Sequence, residues 1–170
     1  IGEKVISWNG NEIQEILKEI LIQKKLTLSS AESCTGGELA RLITSVSGSS
    51  KYFLGGIIPY DYHQKISILG VSEKTISEKT VVSAEVAQEM SLGGQKLFKT
   101  DISIATTGVS GPKSDAFNNE IGTVFYSIRV KNFEKTNRLF LPHLERNDFA
   151  NFVSQRVLQD LIEIIIQEEH

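Results

Sequence analysis

The sequence has one cysteine, one methionine, one tryptophan and three prolines among 170 residues. The lone Cys34 excludes a disulfide within the chain and a zinc site built from several cysteines, and it is typical of a reducing compartment. No apolar run approaches the roughly 18 residues that a membrane-spanning helix needs. The net charge is -3, so the chain lacks the excess of basic residues that is typical of nucleic-acid-binding proteins. We therefore expect a cytoplasmic globular protein with neither a membrane nor a nucleic acid as partner.

Metal ligands are also scarce in the sequence. His63 has no second histidine or cysteine at a spacing typical of metal sites, so it is predicted to be a surface residue of a helix. We expect no metal ion and no cofactor.

The order of predicted elements indicates the fold class. Helical spacing and strand alternation interchange early in the chain, and a strand pair stands late. This order predicts a single three-layer α/β/α domain with a mixed, mostly parallel sheet. Helices are predicted at 13–24, 38–46, 61–69 and 83–98 and after a cap at Asn147 or Asp148, and strands at 26–30, 52–58, 101–107, 121–130 and 136–141. A β-like or extended lead is predicted at 1–8, a turn at 9–11, and irregular segments at 74–82, 111–119 and 132–134.

The turn at 31–37 is the best candidate for an active site. It joins a strand to a helix, so its residues lie near unpaired helical N–H groups and the positive end of the helix dipole. A hydroxyl there, that of Ser33, can be a nucleophile, with backbone donors nearby for an oxyanion. Gly36 and Gly37 would let a ligand approach closely. The alternative is that Ser33 or Thr35 merely caps the helix.

Other candidates belong to the same sheet edge. Tyr60 and Lys65 flank a strand end marked by proline and the first turn of the next helix. Thr107 and Gly108 end another strand, where α/β folds bind ligands. Arg146, just before the last helix, has the donors that suit a phosphate.

Seven blocks of sequence resemble the CinA C-terminal domain family, the nicotinamide-nucleotide amidases. The resemblance extends from about residue 26 to residue 161. The blocks are Ala31-Glu32-Ser33-Cys34-Thr35-Gly36-Gly37, Gly48-Ser49-Ser50, Gly55-Gly56-Ile57-Ile58-Pro59-Tyr60 with Lys65, Leu69-Gly70-Val71-Ser72, Val82-Ser83-Ala84-Glu85-Val86-Ala87, Ala105-Thr106-Thr107-Gly108-Val109-Ser110-Gly111-Pro112 and Ile121-Gly122-Thr123-Val124.

The resemblance implies a bacterial enzyme that hydrolyses the amide of nicotinamide mononucleotide (NMN) to nicotinate mononucleotide and ammonia. It implies an amidase domain at 26–169, with 1–25 as a lead and helix that join it to a further N-terminal domain, and a homo-oligomer. Ser33 matches the nucleophile, Lys65 its proton-transfer partner and Tyr60 an active-site tyrosine, which we expect to take part in the proton transfer. The substrate-binding positions implied are Ser50, Thr107 and Arg146. Thr35 and Gly36 of the turn and Gly108 at the strand end are predicted to bind substrate as well.

Two chemical alternatives remain open from the residues. Cys34 is a rival nucleophile beside Ser33. Lys65 can accept a proton near neutral pH only if its pKa falls by roughly three from about 10.4.

Three segments differ from the family's usual pattern. Asp61-Tyr62 stands where Ser-Asn is usual, the loop 113–120 lacks a glycine pair and a Lys-Pro, and 143–145 replaces a Gly-Asp turn before Arg146. The altered loop 113–120 motivates an alternative function, a diverged nucleotide-binding module without catalysis.

Overall fold

A five-stranded sheet lies between two layers of helices in the computed structural model, which describes residues 12–167. The lead and turn predicted for residues 1–11 lie outside the described residues. No helix within 12–167 combines the length and apolarity needed to cross a bilayer. The helices are α1 (Glu12–Lys24), α2 (Glu38–Thr44), α3 (Tyr62–Leu69), α4 (Glu73–Lys79), α5 (Ala84–Phe98) and α6 (Arg146–Gln167); the strands are β1 (Leu28–Ala31), β2 (Phe53–Ile57), β3 (Ile102–Gly108), β4 (Thr123–Val130) and β5 (Phe133–Phe140).

The sheet is mixed, as predicted. Its strand order is β2-β1-β3-β4-β5. β1 pairs in parallel with both β2 and β3, whereas β4 pairs antiparallel with β3 and β5. The three parallel strands therefore end at one edge of the sheet, where α/β folds bind ligands.

Each face of the sheet has its own apolar core, which confirms the three-layer architecture. The larger core joins α1, α2 and α6 to one face, and the smaller joins α3, α4 and α5 to the other. Alternation along β3 explains the division, because Ile102 and Ile104 face the larger core and Ala105 faces the smaller.

The segment 74–82, predicted to be irregular, contains α4, so that prediction is wrong. The side chain of Ser72 accepts a hydrogen bond from the N–H of Thr75 and caps this helix. Within α4 only Ile76 is buried. One buried residue in seven produces no hydrophobic period, so the sequence pattern could not reveal the helix.

Two predicted boundaries also shift. Phe133 and Glu134, predicted to lie in a turn, belong to β5 and pair with Val130 and Arg129. The hairpin turn is therefore tighter than predicted. The last helix begins at Arg146, before the two predicted cap residues.

Glu32 caps α2 from outside the helix. Its buried carboxylate accepts hydrogen bonds from the N–H groups of Gly37 (3.0 Å), Leu39 (3.0 Å) and Ala40 (2.8 Å) and from the hydroxyl of Thr35 (2.8 Å). The residue at the N-cap, Gly37, has φ 98° and offers no side chain. The alternative in which Ser33 or Thr35 caps the helix is therefore wrong.

Replacing Glu32 with glutamine should destabilise the fold. A glutamine amide offers one acceptor oxygen and turns an NH₂ group toward donors that need acceptors. We expect Glu32→Gln to lower the free energy of unfolding by about 2–4 kcal/mol, measured by urea denaturation. The control is Glu73→Gln, an exposed carboxylate in the first turn of α4, which should cost less than about 1 kcal/mol. Equal losses in the two variants would contradict the capping role of Glu32.

Candidate active site

A cavity with a volume of about 490 Å³ opens at the edge where the parallel strands end. We call it the Ser33 cavity. The residues that follow β1, β2 and β3 line it, together with Arg146 from the start of α6. Its volume lies within the range of small-molecule sites.

Ser33 and Lys65 meet at this cavity. The ammonium nitrogen of Lys65 (Nζ) donates to Ser33 Oγ over 2.9 Å. Nζ also donates to the carbonyl oxygens of Pro59 (2.6 Å) and Tyr60 (3.3 Å). Lys65 lies in the second turn of α3, and the two carbonyls belong to the segment between β2 and that helix. The sheet edge thus brings together two groups that are 32 residues apart.

The Lys65 amine is removed from water. The residue is 1% exposed. This burial lowers the pKa of Lys65 from its ordinary 10.5 to about 8, although the Asp61 carboxylate acts in the opposite direction. A neutral amine is therefore accessible slightly above physiological pH. Burial thus supplies part of the fall that Lys65 needs to accept a proton near neutral pH.

Cys34 is a poor alternative to Ser33. Its side chain is buried, and that burial raises the pKa of the thiol to about 12. A thiol that keeps its proton is weakly nucleophilic. The chemistry of the turn therefore favours Ser33.

Hydrogen bonds to β3 hold part of the turn. Ser33 N–H donates to the carbonyl oxygen of Thr106 (3.1 Å), and the hydroxyls of Thr35 and Thr106 are 2.9 Å apart. Within the described range 12–167, the N–H groups of Cys34 and Thr35 donate to no acceptor on another residue. Neither N–H group is therefore engaged by another residue in that range.

Thr107 and Gly108 both line the Ser33 cavity, as predicted for a strand end. Thr107 is buried, and its hydroxyl donates to the carbonyl oxygen of Val81 (2.7 Å). A Cβ at position 108 would lie 2.6 Å from the carbonyl oxygen of Thr123, so only glycine fits there. Thr107 thus holds a segment of the cavity wall.

Tyr60 contributes its carbonyl to Lys65 and its phenol to Arg146. The side chain is 62% exposed, and its hydroxyl accepts from an Arg146 nitrogen over 3.1 Å. Arg146 also donates to the carbonyl oxygen of Gly111 (2.6 Å). The phenol thus bonds to Arg146 rather than to the Ser33–Lys65 pair, and the proton-transfer role of Tyr60 stays a prediction.

Tyr60 and Arg146 stand between two cavities. A second cavity has a volume of about 620 Å³, and Tyr60, Arg146 and Cys34 line both cavities. Thr35 and Gly36 also line the second cavity. The predicted binding residues of the turn therefore border the second cavity.

Ser50 lies elsewhere. It belongs to a short 3₁₀ helix at Ser49–Lys51, which precedes β2, and its side chain is exposed. Because Lys65 and Tyr60 follow the end of β2, Ser50 lies at the opposite edge of the sheet. The structure does not bring Ser50 to the Ser33 cavity.

Sequence reasoning missed three parts of the site. Glu32 received no role, although an acid just before a glycine-led helix is a signal for capping. The carbonyls of Pro59 and Tyr60 have no side-chain signal at all.

Within residues 12–167 no group of three or more acidic, histidine or cysteine side chains is arranged to hold a metal ion.

Solved structures of similar fold come from several bacteria. A competence or damage-inducible protein from Enterobacter asburiae superposes with a TM-score of 0.90 at 25% identity, covering 94% of this chain and 99% of that one. A competence-damaged protein (CinA) superfamily protein from Escherichia coli has a TM-score of 0.88 at 27% identity, covering 95% of each chain.

Curated relatives agree with the structures. A CinA-like protein of Flavobacterium psychrophilum is 48% identical over 169 residues, which are 99% of this chain and 39% of that protein. A CinA-like protein of Pseudothermotoga lettingae is 36% identical, covering 90% of this chain and 37% of that protein. The chain thus spans about two fifths of the length of these relatives. The CinA C-terminal domain model matches residues 10–165, and the chain therefore belongs to the CinA C-terminal domain family.

Proposed function

We propose that this chain hydrolyses the carboxamide of NMN to nicotinate mononucleotide and ammonia, with Ser33 as nucleophile and Lys65 as proton carrier. The observation that carries the proposal is the 2.9 Å hydrogen bond between Lys65 Nζ and Ser33 Oγ, made by a buried amine that lines the Ser33 cavity. Family membership supports it, because the resemblance implies this reaction.

The bonds of Lys65 suit a base. An ammonium has three N–H donors, and here the three acceptors are two carbonyls and Ser33 Oγ. When the amine loses a proton, carbonyls cannot donate to it, so both carbonyls keep an N–H. The lone pair is then left facing Ser33, whose hydroxyl can donate to it. The carbonyls of Pro59 and Tyr60 therefore orient the base toward the nucleophile.

The reaction balances with these two side chains and water. Neutral Lys65 takes the hydroxyl proton while Ser33 Oγ bonds to the amide carbon. Lys65 then passes that proton to the leaving nitrogen, the C–N bond breaks, and ammonia departs from an ester on Ser33. Water attacks the ester and gives a proton to Lys65, which returns it to Ser33 Oγ as the acid is released.

The N–H group of Cys34, which follows Ser33 in the chain and also lines the Ser33 cavity, is the oxyanion donor in this proposal. No acceptor on another residue within 12–167 engages it. Removing one such donor from an enzyme typically costs a hundred- to a thousandfold in rate. Arg146, between the two cavities, is the cation that we propose for the phosphate.

Ser33→Ala should abolish ammonia release from NMN. We expect a loss of about ten-thousandfold or more in kcat, with circular dichroism unchanged, because no other activated nucleophile stands at the turn. Cys34→Ala is the matched variant at the next position and should keep its rate within about tenfold. Persistent turnover in folded Ser33→Ala would refute the nucleophile, and NMN binding without turnover by the unaltered chain would favour a non-catalytic binding module.

The rate should rise with pH through the pKa of Lys65. The base must be neutral, so kcat/KM should increase about tenfold per pH unit below an apparent pKa of about 8 and level off above it. Lys65→Met should remove both the activity and this ascending limb. A profile that is flat between about pH 6 and pH 9 would assign the proton to another group.

The buried amine should also affect stability. Its pKa is about 8 in the folded chain and 10.5 ordinarily, so the unfolded chain binds more protons between these values. The free energy of unfolding should therefore rise with pH in that window, relative to Lys65→Met, by about 2 kcal/mol between about pH 7 and pH 10.

An exposed lysine provides the control for this titration. The free energy of unfolding of Lys51→Met should change with pH as that of the unaltered chain does, because Lys51 is exposed. If the free energy of unfolding of Lys65→Met also changes in this way, the Lys65 amine is not removed from water in the folded chain.

A further inference from the structure

Two aromatic side chains form a corner in the wall of the Ser33 cavity. The rings of Tyr62 and Phe117 have centroids 5.9 Å apart and planes 85° apart. His63 lies against Tyr62, with centroids 3.9 Å apart. Tyr62 and Phe117 are both partly buried, and both line the cavity. Both rings also pack against the smaller apolar core.

Hydrogen bonds hold Phe117 in this position. The carboxylate of Asp115 accepts from the N–H of Phe117 (3.1 Å), the N–H of Asn119 (2.9 Å) and the side-chain amide of Asn119 (2.7 Å). The hydroxyl of Thr80 donates to the other atom of that amide, Oδ1, over 2.8 Å. The loop is thus tied both to itself and to the end of α4. Phe117 is a fixed part of the wall.

The neighbouring wall is aliphatic. Val81, Val82 and Val109 line the same cavity as the aromatic corner. A flat apolar ring would fit such a surface. The faces of aromatic rings carry negative charge density and attract cationic groups, so a positively charged ring gains more there than a neutral one.

We infer that Phe117, supported by Tyr62, is a specificity-determining residue that binds the face of a flat, cationic aromatic ring in the substrate. The inference rests on the proposed function, in which that ring is the oxidised pyridine ring of NMN. It predicts that the site discriminates against the dihydro form (NMNH), whose ring is neutral and not aromatic.

Binding to an inactive variant tests this directly. Dissociation constants of NMN and NMNH are measured by calorimetry for Ser33→Ala and for Ser33→Ala combined with Phe117→Leu. Ser33→Ala should prefer NMN. The leucine keeps an apolar contact but has no ring face. It should therefore reduce the preference for NMN over NMNH about tenfold, by weakening the binding of NMN and leaving the binding of NMNH nearly unchanged.

Two further variants separate ring recognition from packing. Phe117→Tyr keeps the ring and should keep the preference. Phe133→Leu makes the same change at an exposed position on β5 and should leave both dissociation constants unaltered.

The outcomes distinguish this inference from the proposed function. Equal weakening of both mononucleotides by Phe117→Leu, or an unchanged preference, overturns the inference, and ammonia release by the unaltered chain would then leave the hydrolysis standing. Loss of the preference without any ammonia release supports the inference and removes the hydrolysis. Failure of Ser33→Ala to bind either mononucleotide overturns the inference.

Discussion

The buried Lys65 amine is the group on which the rest of the site depends. An ammonium without water is costly, and the chain offsets the cost with two carbonyls and one hydroxyl. The carbonyls are available because β2 ends at Ile57, just before the Pro59-Tyr60 segment. The end of a strand therefore supplies the acceptors that a central strand would use for pairing. Any change that lets water reach Nζ would raise the pKa of Lys65 and weaken it as a base near neutral pH.

In the turn before α2, one residue caps the helix and another bonds to Lys65. A hydroxyl at this position commonly caps the helix and is then occupied. Here the Glu32 carboxylate does the capping, and Gly37 at the N-cap has no side chain. Ser33 Oγ is consequently left to bond with Lys65. The buried acid thus keeps the Ser33 hydroxyl available without touching it.

Sequence patterns predicted the fold well where an element has a repeated apolar face. In β3 the apolar Ile102 and Ile104 alternate with Ser103. The helices with several buried residues were also predicted, whereas α4 has only Ile76 to mark it. At the site, Ser33 and Lys65 were predicted to meet, and they do. Ser50 was expected at the substrate and lies at the opposite sheet edge. The carbonyls that hold Lys65 could not be predicted, because every residue has one and only the three-dimensional course of the chain decides which of them converge.

The site divides into a buried half and a rim, and the two differ in origin. Ser33, Lys65 and Thr107 are buried and stand on or beside the parallel strands and α3. Tyr62 and Phe117 are partly buried, and they belong to the two segments, Asp61-Tyr62 and 113–120, in which the resemblance indicates a departure from the family's pattern. In our proposal, a change at the rim would alter which ring binds and leave the Ser33–Lys65 pair in place.

In our proposal the two halves are also coupled through charge. A cationic ring held against Phe117 places a positive charge in the cavity that Lys65 also borders. A like charge disfavours the ammonium, and the ring displaces water from the amine, so both effects lower the pKa of Lys65. The bound substrate would therefore favour the neutral base that its own hydrolysis requires. Recognition of the ring by the rim and activation of Ser33 by Lys65 then depend on the same desolvated space.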